Sequence, residues 1–114
     1  MNSLKNQVTL VGNIGKDIEF KTFGDDKKLS QVSLATNEYY KNAKGELIQN
    51  TDWHNLKAWG IVADRMKDTL SKGDEVMIRG RLSYRNYEDA QGVKRYVTEI
   101  LVSEFHRMRQ AQAS

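Results

Sequence analysis

Trp53, Lys57 and Trp59 share one parity in a short segment, residues 51–59. Side chains alternate sides along a β-strand, so these three project together with Thr51 and Asn55. Asp52, His54, Leu56 and Ala58 take the other side, where Leu56 and Ala58 are the core candidates. Two indoles around a lysine suit a core poorly. They suit the stacking of a flat, unsaturated ring next to an anion. A second segment repeats this chemistry. At residues 75–87 the odd positions carry Met77, Arg79, Arg81, Ser83, Arg85 and Tyr87, with no carboxylate before Glu88. Val76, Ile78, Leu82 and Tyr84 alternate with them and are expected to face inward, barring a bulge at Gly80. A solvated strand in a chain with 15 acidic residues would ordinarily mix the two signs.

Rings interleaved with arginine and lysine on a sheet are what a single nucleic-acid strand requires. Unpaired bases present flat π faces, and each aromatic stack contributes ~1–3 kcal/mol whatever the base. The cations follow the phosphates and release counterions, so affinity falls with salt. A duplex hides its base faces. No helix clusters basic residues for a major groove, and a chain without cysteine cannot build a C2H2 finger. Each feature also has a plainer reading: either tryptophan alone suits the core of a small barrel, and the arginines suit an edge strand charged against aggregation. Tyr39 and Tyr40, beside a Lys/Asn/Gly turn, read equally as surface tyrosines.

The elements that must position these residues are mostly strands. Alternation predicts strands over 7–11, 18–23, 29–37 and 51–59, with Gly12 and Gly15 interrupting the first and a turn at Gly24-Asp25-Asp26. Val62, Met66 and Leu70 then recur every four residues, as one stripe of an amphipathic helix requires, with Gly60 before it and Gly73 after. Strands over 75–87 and 95–103 follow, and 42–45 and 89–92 are polar turns. Runs of strands with a single inserted helix fit a small antiparallel barrel. The expected fold is all-β: an OB-fold, a five-stranded antiparallel Greek-key barrel with one helix between strands 3 and 4. Gly12 and Gly80 lie inside strands, where sharply coiled barrel strands need them.

The 114 residues carry 18 Lys and Arg against 15 Asp and Glu, a net charge of +3, which is mildly basic. The length suits one domain, expected at residues 1–105, with 106–114 a short C-terminal tail whose order the sequence leaves open. No apolar run approaches a membrane span or a secretory signal, so a cytoplasmic protein is expected, without membrane contact. With no cysteine, thiolate metal sites and disulfides are excluded, and no cofactor or metal is expected. His54 and His106 are the only histidines, and no phosphate loop, paired-carboxylate motif or nucleophile elbow is present. Asp17 with Glu19 and Asp25 with Asp26 sit beside turns and read as solvated. No catalytic residue is expected.

Six motifs in order carry a resemblance over residues 6–105. They are Val11-Gly12-Asn13-Ile14-Gly15, Ser33-Leu34-Ala35-Thr36-Asn37-Glu38, Thr51-Asp52-Trp53-His54, Lys72-Gly73-Asp74-Glu75-Val76, Ile78-Arg79-Gly80-Arg81-Leu82 and Arg95-Tyr96-Val97-Thr98-Glu99-Ile100. The chain resembles the DNA-binding domain of the bacterial single-stranded DNA-binding proteins. That resemblance implies an OB-fold homotetramer binding single-stranded DNA with little sequence preference in replication, recombination and repair. It implies base stacking at Tyr40, Trp53, Trp59 and Tyr87, where Tyr40 and Tyr87 replace a common tryptophan and Trp59 a common phenylalanine. His54 matches a position used at subunit contacts. Family members usually continue into a flexible linker and an acidic tip that recruits repair enzymes. The last residues here, Gln110-Ala111-Gln112-Ala113-Ser114, hold no acidic cluster, so this sequence gives such recruitment no support, whether the tip is absent by truncation or by nature. An OB module for structured RNA, or a dimeric subunit of a replication-restart complex, is the competing reading.

Overall fold

Apolar residues at every second position give the chain its strands and, where the period lengthens, its helix. The computed structural model describes residues 5–111. Its elements are β1 (Val8–Ile14), β2 (Glu19–Phe23), β3 (Lys27–Lys41), β4 (Leu47–Trp59), α1 (Gly60–Thr69), β5 (Glu75–Glu88) and β6 (Lys94–Arg109). β1 pairs with β5, β5 with β6, β6 with β4 and β4 with β3, and β3 returns to β1 through Asn13–Ala35 and Ile14–Leu34. This circuit of five strands is closed, and β2 lies outside it on β3.

The expected barrel circuit is present, with two differences. Counting β2, the described residues form six strands, so the helix follows β4. The β4–β6 pair is parallel, through Leu56–Ile100 and Lys57–Leu101, where an antiparallel barrel was expected. That second difference follows from parity. Directions that alternate around a ring require an even number of strands, so a ring of five must leave a neighbouring pair pointing the same way.

Inside the ring lie Ile14, Val32, Leu34, Leu56, Ala58, Val76, Ile78, Ile100 and Val102, and α1 adds Ala63 and Met66, with Leu70 just past its end. The buried Ser30 hydroxyl donates to the Ala63 carbonyl at 2.8 Å, which ties the helix to β3 without leaving a polar group unpaired. Gly12 and Gly80 sit where strands cross closely: a Cβ at either would run into the backbone carbonyl of Ala35 or Leu101. At Arg79/Gly80 the β5–β6 ladder slips, and the extra residue is Ser103 of β6, whose hydroxyl donates to the Arg79 carbonyl at 3.0 Å. Because the extra residue is in β6, the alternation of β5 passes through unbroken.

The Cα radius of gyration is 16.2 Å, against ~13 Å for a compact domain of this length. Two hairpin arms account for the excess, β3–β4 beyond Thr36 and β5–β6 beyond Ser83, where nearly every residue on both sides is exposed. Tyr84, expected to face inward, is 72% exposed for this reason. Its parity is that of the core, but the arm has left the core behind. Both arms end in the same loop. Asn42 Oδ1 accepts the N–H groups of Lys44 and Glu46 in one, and Asp89 Oδ1 those of Gln91 and Val93 in the other. The Val93 N–H and then Arg95, whose Nε is 2.9 Å away, hold the Asp89 carboxyl below the usual carboxylate range.

β6 continues to Arg109, beyond the boundary expected at residue 105. The Ala111 N–H donates to buried Asp74 at 2.8 Å. Of the expected tail, 112–114 fall outside the described residues.

Candidate nucleic-acid interface

Directly opposed residues of an antiparallel pair point to one side, so the register of β3 and β4 maps the outer face in rows. Trp53 stands opposite Ala35, Asn55 opposite Ser33, Lys57 opposite Gln31 and Trp59 opposite Leu29. Trp53 is 62% exposed and Trp59 46%. Six residue steps along the strand separate them, about 20 Å. Each indole has a seat. Trp53 lies over Gly15, where a Cβ would collide with its six-membered ring. Trp59 meets Phe23 of β2, ring centroids 6.3 Å apart and tilted by 43°.

The rows between the indoles are polar and form the floor of a groove of about 270 Å³, lined by Gln31 and Ser33 of β3, Asn55 of β4 and Arg85, Val97 and Glu99 of β5 and β6. Glu99 is 6% exposed. Its carboxylate joins two strands: Lys57 Nζ is 3.2 Å from Oε2 and Arg85 Nε 3.1 Å from Oε1. Burial pushes the Glu99 carboxyl up, but the hydrogen bonds from Arg85 and Lys57 and their charges outweigh it and hold the group below the usual range. The Arg85 guanidinium lies 5.7 Å from the Tyr87 ring centre, so the aromatic ring and the cation form one wall.

The face expected to lack acids is therefore not free of them. Lys57 and Arg85 share Glu99, and Arg79 pairs with Glu104. Both carboxylates come from β6, the neighbouring strand, which no reading of β5 alone can place. Arg81 is exposed and makes no ion pair among the described residues; it stands opposite Leu101, which also neighbours Lys57. Arg79 lines a different cavity, with Thr9, Met77 and His106. Tyr40 stands opposite Ile48, on the other side of the arm from the Trp53 row, and Tyr39, opposite Gln49, shares the Trp53 side; both are exposed. The register sets Trp53, Lys57 and Trp59 on one side of β4, Glu99 ties Lys57 to Arg85 with Tyr87 beside it, and Arg79 and Tyr40 lie apart from them. His54 is half-buried with Nε2 2.9 Å from Thr36 Oγ1.

Gly15, Phe23 and Glu99 are parts of this face that the sequence reading did not single out. A parity signal existed for Phe23, which shares a side of β2 with Lys21. Glu99 gave none, since an acid among β-formers reads as solvated. Among the described residues no cluster of His, Cys, Asp or Glu could hold a metal ion, and no helix is long and apolar enough to cross a membrane.

The face offers flat rings about 20 Å apart, a polar groove between them and a cationic wall, and comparison with known proteins agrees with that chemistry. A curated relative, single-stranded DNA-binding protein 1 of Chlorobaculum tepidum, is 36% identical over 104 residues, 90% of this chain and 64% of the relative's own length. A Plasmodium falciparum SSB complex with single-stranded DNA superposes with a TM-score of 0.82 at 30% identity, covering 95% of this chain and 97% of that one. The model of the single-strand binding protein family matches residues 5–108. The chain belongs to the single-strand binding protein family.

Proposed function

We propose that this chain binds single-stranded DNA with little sequence preference, stacking bases on Trp53, Trp59 and Tyr87 and meeting phosphates with Lys57, Arg81 and Arg85. The observation that carries the reading is the pair of exposed indoles on one side of β4, flanking a polar groove. Stacking needs only a base's π face, so the sequence of the strand matters little. Tyr40 and Arg79 contribute from outside the groove, Tyr40 if the strand passes around the β3–β4 arm. The role is protective and not catalytic: covering unpaired strands in replication, recombination and repair, without a cofactor. A homotetramer in the bacterial cytoplasm, with His54 near a subunit contact, completes the reading.

Competition tests it. Labelled oligo(dT) bound to the protein should be displaced by unlabelled single-stranded DNA and not by duplex of equal length. Equal displacement by duplex would refute stacking as the basis of binding, and stronger displacement by RNA would reassign the substrate. Light scattering should give four times the 13.1 kDa chain mass; a dimer would refute the tetramer.

A further inference from the structure

The geometry points to Phe23 as a base-stacking residue that carries the nucleic-acid path past Trp59 onto the β2–β3 hairpin, an inference that rests on the binding reading above. The barrel closes without β2, which pairs with β3 outside the five-stranded circuit. β2 turns Phe20 toward the core and leaves Phe23 48% exposed. A lone exposed phenylalanine would need no explanation. This one is not alone, because its ring lies 6.3 Å from that of Trp59 at 43°, so the two open ring faces form a corner rather than a closed stack.

The surroundings have the composition of the rest of the face. Lys21 stands opposite Leu29, which stands opposite Trp59, so Lys21 and Trp59 project on one side across three strands. Lys27 stands opposite Phe23 itself. Neither lysine makes an ion pair among the described residues, whereas Lys28, of the other parity, is bound to Asp64 at 2.7 Å. Two available cations beside a two-ring corner repeat the pairing of ring and charge at Arg85 and Tyr87. Asp25 and Asp26 occupy the hairpin turn beyond. Their charge repels a phosphate chain and sets the limit of the path, so Phe23 adds a stacking place for about one further base.

The test compares Phe23→Ala, Phe23→Leu and Phe23→Tyr with Trp53→Ala, each checked for wild-type circular dichroism, in equilibrium titrations of oligo(dT). The expected result is roughly five- to tenfold weaker binding for Phe23→Ala and for Phe23→Leu, with Phe23→Tyr close to wild type. Leucine keeps the apolar contact with Trp59 and removes the ring, so full affinity in Phe23→Leu would reduce Phe23 to a brace and overturn the inference. Unchanged affinity in Phe23→Ala, with Trp53→Ala weakened, would overturn it and leave the binding reading intact. Unchanged affinity in both alanine variants would overturn both.

Discussion

Glu99→Gln separates the charge on the groove from its shape. The wild-type cluster of Lys57, Glu99 and Arg85 carries a net charge of +1, and the substitution makes it +2 while keeping an acceptor for Arg85. In the wild type a phosphate entering the groove competes with a carboxylate already 3.2 Å from Lys57 and 3.1 Å from Arg85. Without that competitor one further phosphate contact forms, and each contact adds about 0.7 to the steepness of log affinity against log salt for a single strand. The variant should therefore bind oligo(dT) more tightly at low salt, with a slope steeper by about 0.7. Its fold should be weaker by about 1–2 kcal/mol, because Lys57 is left poorly paired at 13% side-chain exposure, a cost below the 3–5 kcal/mol of a fully buried broken pair. Fluorescence titrations over a roughly tenfold salt range, with urea melts beside them, read both quantities. An unchanged or shallower slope would refute the idea that this carboxylate and the DNA backbone share the same two cations. The acid limb of stability gives the sign check. A carboxyl held below its ordinary range stabilises the fold above that range and loses the contribution as pH falls through the lowered value. Wild type should lose stability on that limb, and Glu99→Gln should show a flatter one.

Other substitutions isolate single parts of the face, and a last one tests a buried brace of the fold. Trp53→Ala should weaken binding by ~1–3 kcal/mol on every sequence tested, with stability changed by less than about 0.5 kcal/mol because the indole is exposed. Gly15→Ala should displace the Trp53 ring and weaken binding of oligo(dT) without lowering the melting temperature much, since the colliding atoms are the free end of a side chain. Arg81→Ala should flatten the salt slope by about 0.7, and an unchanged slope would place the phosphates elsewhere. Asp74→Ala should cost about 2–3 kcal/mol in urea unfolding, as buried Asp74 accepts the Ser71 and Ala111 N–H groups at 2.9 and 2.8 Å.

What the sequence made legible was whatever repeats along one strand. Period-two alternation put Leu56 and Ala58 inside and Trp53, Lys57 and Trp59 outside, as the structure has them. The four-residue recurrence of Val62, Met66 and Leu70 marked the helix, although Ala63, a fully buried residue of that same helix, carried no signal of its own. What depends on two strands at once was not legible. The acids that meet Lys57, Arg79 and Arg85 stand on β6, and only the register brings them across. Tyr84 shows the other limit: parity gives the direction of a side chain, and burial requires something for it to point at. The parallel β4–β6 pair needed the ring's closure before its parity could be seen.

Single-tryptophan emission tests the stacking face most directly. Trp59→Phe leaves Trp53 as the reporter, and Trp53→Phe leaves Trp59. Each variant is titrated with oligo(dT) while anisotropy of a labelled strand records binding independently. The expected result is saturable quenching in both variants that tracks occupancy and weakens in parallel as salt rises. Full binding by anisotropy with both emissions unchanged would show that the bases lie elsewhere on the molecule.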